Sequence, residues 1–68
     1  MKTECKVIVT IFSNKEQSYL EPKIYTGTDA KQFLKNIPSS WMFESQYKNF
    51  ENYTNMRGDN INIELIGF

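Results

Sequence analysis

Two runs of alternating side chains bracket this sequence and constrain its fold more than any other feature. Near the start, Cys5, Val7, Val9 and Ile11 alternate with Lys6, Ile8, Thr10 and Phe12; near the end, Ile61, Ile63 and Leu65 alternate with Asn60, Asn62, Glu64, Ile66 and Phe68. Successive side chains of a strand point to opposite faces, so a period of two in β-branched residues predicts a strand at each end. Pairing the last strand with the first makes the apolar first strand central and leaves the sheet edges to less hydrophobic segments.

Between them the signals change. Ser13 to Ser18 is polar and reads as a loop. Tyr19 to Thr26 reads as a second strand, and Pro22 within it cannot donate to a ladder, which places that strand at an edge, in an antiparallel hairpin with the first. Thr26-Gly27-Thr28-Asp29 breaks it. Thr28 is the expected cap of a helix, with Asp29 against its positive end. Ala30, Phe33, Leu34 and Ile37 then form one apolar stripe at helical spacing, and Pro38 stops it. From Trp41, the positions Phe43, Tyr47, Phe50 and Thr54 again follow helical spacing, with Glu44, Ser45, Lys48, Asn49 and Asn52 outside, so a second helix is expected. Arg57-Gly58-Asp59-Asn60 is turn chemistry.

The fold expected is α+β with the order ββααβ: a three-stranded, mainly antiparallel sheet with one or two helices on one face, forming a single domain over residues 1–68. Its inner face would collect Cys5, Val7, Val9, Ile11, Leu20, Ile24, Ile61, Ile63 and Leu65. The helices would add Ala30, Phe33, Leu34, Ile37, Phe43, Tyr47 and Phe50.

Composition narrows the function. There is no histidine, Cys5 is the only cysteine, and eight basic residues balance eight acidic ones. One cysteine forms no internal disulfide and no Cys/His set holds zinc, so no cofactor or metal is expected. The acids are scattered singly and the three glycines lie far apart, so neither a catalytic constellation nor a phosphate loop is legible, and the chain is read as a non-enzyme. Residues 1–36 carry a net +2 and residues 37–68 a net −2; charges this small define neither a nucleic-acid groove nor an acidic mimic. An acid at Glu4 precedes the first apolar run, no stretch reaches membrane-span length, and the lone cysteine suits a reducing compartment. A cytoplasmic protein without a membrane anchor is therefore expected.

Aromatic residues make up 15% of the chain, more than a thin core obviously needs. By the same alternation, Ile8, Phe12, Tyr19, Tyr25, Ile66 and Phe68 fall on the opposite sheet face, with Lys6, Thr10, Glu21, Lys23, Asn62 and Glu64 between them. Trp41, Met42, Tyr53 and Met56 form a second surplus. Such patches cap a core, bury in a homodimer, or bind a partner. The partner-binding candidates are Phe12, Tyr19, Tyr25, Ile66 and Phe68, with Trp41 and Tyr53 as a second patch. A single-stranded nucleic acid is the alternative partner, stacking on Phe12, Tyr19 and Tyr25 beside Lys6 and Lys23, although Glu21 and Glu64 share that face.

Three short motifs carry less weight. Arg57-Gly58-Asp59 matches an adhesion tripeptide but reads as a turn, Asn52-Tyr53-Thr54 is a glycosylation sequon without an export signal, and Cys5 shares the inward face of its strand with Val7.

Lys6-Val7-Ile8-Val9, Phe12-Ser13-Asn14-Lys15-Glu16 and Lys23-Ile24-Tyr25-Thr26 leading to Asp29 give the first half a pattern that resembles the small phage-encoded Dmd-type antitoxins, which neutralise host RNase toxins by direct contact. The resemblance stops at Pro38 and transfers no binding residues. It implies a class: a small phage or mobile-element protein that inhibits a host protein stoichiometrically, as an antitoxin or anti-defence factor.

Overall fold

A computed structural model describes residues 4–68; Met1 to Thr3, and the reading of them as the start of an unexported chain, lie outside the described residues. The elements are β1 (Lys6–Ser13), β2 (Ser18–Tyr19), β3 (Lys23–Thr26), α1 (Gly27–Lys35), β4 (Met42–Tyr47), β5 (Phe50–Thr54) and β6 (Asn60–Ile66). One antiparallel sheet runs β2–β1–β6–β5–β4, with β3 pairing β1 as well. The described chain thus has six strands and one helix in the order βββαβββ, which overturns the expected three-stranded ββααβ arrangement.

The second helix expected after Trp41 is a β-hairpin. Tyr47 pairs with Phe50 across the two-residue turn Lys48-Asn49, and the strands continue through Gln46–Glu51, Ser45–Asn52, Phe43–Tyr53 and Met42–Thr54. The register shifts between Phe43 and Ser45, leaving Glu44 as a bulge. Asn, Ser, Tyr and Phe are weak helix formers, and β6 offers this segment a ladder that an isolated second helix would not have.

The segment expected as one strand from Tyr19 to Thr26 splits in two. Phe12 pairs with Tyr19, whereas Val9 pairs with Lys23, so three steps along β1 match four along its partner. The extra residue lies between Leu20 and Pro22. Because the side-chain period is two, one inserted residue reverses every later side chain. Ile24 consequently sits opposite Ile8 and is exposed, while Tyr25 sits opposite Val7 and packs against the core. The inward placement expected for Ile24 and the outward placement of Tyr25 are both corrected by this single bulge, whereas Leu20, expected inward as well, precedes it, donates its amide to the Ile11 carbonyl at 2.8 Å and is exposed at the sheet edge.

Strands β1 and β6 form the centre. Their pairs Val7–Leu65, Val9–Ile63 and Ile11–Ile61 put three aliphatic couples on one face. Val7, Val9, Ala30, Ile61 and Ile63 are buried there, ringed by Cys5, Phe33, Leu34, Ile37 and Trp41 among others. The start of the helix is tied to the strand it packs on: Gly27, at φ 56°, donates its amide to the Cys5 carbonyl at 2.7 Å. Thr26, not Thr28, occupies the cap position, and its side chain makes no capping bond. At the other end Asn36 closes the helix with its side-chain amide on the Gln32 carbonyl at 2.9 Å. No helix among the described residues is long and apolar enough to cross a membrane.

Candidate functional site

Helix α1 covers the inner face; on the outer face no element among the described residues lies over the sheet. The strand registers lay its side chains out in three rows running across the strands. One row reads Ile24, Ile8, Glu64, Phe50, Tyr47. The next reads Thr10, Asn62, Asn52, Ser45. The third reads Tyr19, Phe12, Asn60, Thr54, Met42. Two largely apolar rows therefore flank a row of neutral hydrogen-bonding groups.

The middle row is internally bonded. Asn62 Nδ2 donates to Asn52 Oδ1 at 2.8 Å, and Asn52 Nδ2 reaches Ser45 Oγ at 3.4 Å. At the end of the third row, Phe12 and Tyr19 meet edge to face with centroids 5.0 Å apart. Together Thr10, Phe12, Tyr19, Asn52, Asn60 and Asn62 line a shallow trough of about 680 Å³. The trough carries no charged side chain. Around it, Lys6 and Glu64 lie on the face itself. Glu44 reaches Thr54 Oγ1 at 3.4 Å, and the Lys48 ammonium stands 5.4 Å from the Tyr47 ring centroid. Two cations thus balance two anions.

Of the candidates read from sequence, the structure brings Phe12 and Tyr19 into contact on this face and places Ile66 on the same face at the far end of β1, six residues from Phe12 along the strand. Ile66 is half-buried opposite Lys6, and Phe68 lies past the end of β6, exposed. Tyr25, Trp41 and Tyr53 belong to the inner side. Tyr25 stacks on Phe33 at 4.6 Å, Phe33 meets Trp41 at 6.1 Å, Trp41 meets Tyr53 at 6.2 Å, and Tyr53 meets Phe43 at 5.6 Å. This aromatic line extends the core toward β4 where the helix does not reach. The Tyr53 hydroxyl donates to Glu51 at 3.0 Å; burial first, then the bond to Glu51 and its charge, push the phenol above its ordinary pKa. Asn62 was placed on this face from the sequence, whereas Ile24, Met42, Tyr47, Phe50, Asn52 and Asn60 were missed as face residues. The signal for Asn60 was present in the alternation of the last strand, but those for Ile24 and Tyr47 were hidden by the two bulges.

The Arg57-Gly58-Asp59 turn is closed inward. Asp59 is buried; the Asn14 amide donates to its Oδ1 at 2.8 Å, Asn55 Nδ2 donates to Oδ2 at 3.0 Å, and Arg57 Nε lies 3.5 Å from Oδ2. The Asn14 bond, then Asn55 and last Arg57, hold the Asp59 carboxyl below its ordinary pKa against a smaller opposing effect of burial. Asn14 Nδ2 also donates to the Arg57 carbonyl at 3.1 Å. The carboxylate that an adhesion motif would present is therefore spent on joining this turn to the β1–β2 loop. Cys5 is half-buried, with its thiol 3.3 Å from the Gly67 carbonyl.

Among the described residues, no three His, Cys, Asp or Glu side chains converge in a way that could hold a metal ion. Comparison of the chain with protein-family models, with curated proteins and with solved structures gives no match in any of the three.

Proposed function

We propose that this chain acts by contact rather than chemistry: it binds a protein through the outer face of its sheet and inhibits it stoichiometrically, in the manner of an antitoxin or anti-defence factor. The observation that supports this is the uncovered face itself, where aromatic and aliphatic side chains flank a pre-bonded amide row. Apolar patches rimmed by polar groups mark interaction surfaces, and aromatic anchors dominate the binding energy of such surfaces. Tyr19, Ile24 and Tyr47 are 71%, 61% and 66% exposed, which makes them available as anchors. The inhibitor class comes from the resemblance of the first half to Dmd-type antitoxins.

The test is capture of a target from cytosolic lysate by the tagged chain, run with and without nuclease and repeated with Tyr19→Ala/Tyr47→Ala. Recovery of one protein in near-equal amount, indifferent to nuclease and lost with the double variant, supports the reading. Recovery that nuclease abolishes supports a single-stranded nucleic acid instead, stacked on Phe12 and Tyr19 beside the asparagines. The balanced charge around the trough argues against that partner, because nucleic-acid affinity rests largely on cations that neutralise phosphates.

A further inference from the structure

A domain of fewer than about 70–80 residues usually needs a staple: a disulfide, a metal or an association. Here Cys5 is the only cysteine, no metal-holding cluster exists among the described residues, and the buried apolar core is Val7, Val9, Ala30, Ile61 and Ile63. Association is the staple that remains. The chain exposes 5205 Å², whereas a compact monomer of 8.0 kDa exposes about 4,500 Å². The chain is thus more open than a compact monomer of its mass, as a sheet covered on one face is. A foreign target meets the chain only after folding, whereas a second copy is present from synthesis onward.

We propose that a second copy of this chain covers the outer face, face to face, about a two-fold axis running along the Thr10–Asn62–Asn52–Ser45 row. This rests on reading the face as a protein interface and names its resident occupant, which a target must displace to reach the same side chains. Turning a copy over about that axis preserves strand position and exchanges the two flanking rows. Ile24 then lies over the partner's Tyr19, Ile8 over the partner's Phe12, and Tyr47 over the partner's Met42. The Glu64 carboxylate meets the amide of the partner's Asn60, which can donate to it. The middle row meets itself, and its Asn62–Asn52 bond at 2.8 Å means that covering it does not strand every amide group. The balance of Lys6 and Lys48 against Glu44 and Glu64 leaves no net repulsion between identical faces.

Sedimentation equilibrium of the full chain over about 1–100 μM tests this directly. The expected result is a species of about twice the 8.0 kDa chain mass. Tyr19→Glu/Ile24→Glu, at two strongly exposed positions, places like charges opposite each other and should weaken self-association at least about 100-fold with an unchanged circular-dichroism spectrum. Mixing that variant with Tyr19→Lys/Ile24→Lys should restore a dimer of one copy of each. A wild-type monomer throughout the range overturns the inference, as does a dimer that survives the Glu pair and is lost instead in Phe43→Lys, on the inner face at the β4 edge. A monomer that still captures a target removes the second copy and leaves the contact reading standing; a dimer that captures nothing does the reverse.

Discussion

Val9 and Thr10 are neighbours in sequence with opposite fates. Val9 is 4% exposed beneath the helix side of the sheet, while Thr10 opens onto the trough. The same contrast holds along β1 and β6, where one set of alternate residues meets Ala30, Phe33 and Leu34 and the other meets no covering layer. The two faces differ less in apolar content than in cover, because a nine-residue helix can shield only part of a six-stranded sheet. Stability should therefore reside on one face and recognition on the other.

Five substitutions test that division. The largest effect is expected from Ile63→Ala on the covered face, where a fully buried side chain is lost from the middle of β6; it should cost about 2–4 kcal/mol in urea unfolding. Next comes a pair of tyrosines on the same edge of the sheet. Tyr25→Ala, which removes the stack on Phe33, should cost about 2 kcal/mol, whereas Tyr19→Ala should change stability by less than about 1 kcal/mol. Equal losses at the two positions would break the comparison, for both would then be core.

Asp59→Asn asks how much stability comes from neither face but from the loops. The folded Asp59 pKa lies below its unfolded value, so its contribution is complete above about pH 4 and is lost as pH falls through the folded value. The variant should be less stable at neutral pH and should show a shallower loss on acidification, read as urea midpoints at several pH values. The smallest effect concerns the hairpin beyond the helix. Lys48 has φ 53°, where a side chain is strained, so Lys48→Gly should gain roughly 0.5–1 kcal/mol in thermal unfolding.

The parts legible in sequence were those where one periodicity ran without interruption. β1 and β6 read directly, as did their pairing, the edge position of the Pro22 segment and the helical stripe Ala30–Phe33–Leu34, while Ile37 packs on the core from beyond the helix end at Lys35. The hairpin was misread because two irregularities together imitate a helix. The three-residue step from Tyr47 to Phe50 is the closing pair of a tight turn, and the four-residue step from Phe43 to Tyr47 includes the Glu44 bulge, which sends those two side chains to opposite faces. No local residue preference marks either event; both depend on the ladder that β6 offers. The candidate face suffered accordingly: Phe12, Tyr19 and Ile66 were placed by clean alternation, and Tyr25 was misplaced by the bulge near Pro22.

That bulge gives the Leu20–Pro22 segment a grammar of its own. Exposed loops ordinarily tolerate the gain or loss of a residue, but here deleting one would act on the side chains of β3 much as a lost nucleotide acts on a reading frame. Each residue from Lys23 to Thr26 would change sides, sending Ile24 toward Phe33 and Tyr25 out to the open face. A variant of this chain one residue shorter at that point would keep its letters and lose their meaning.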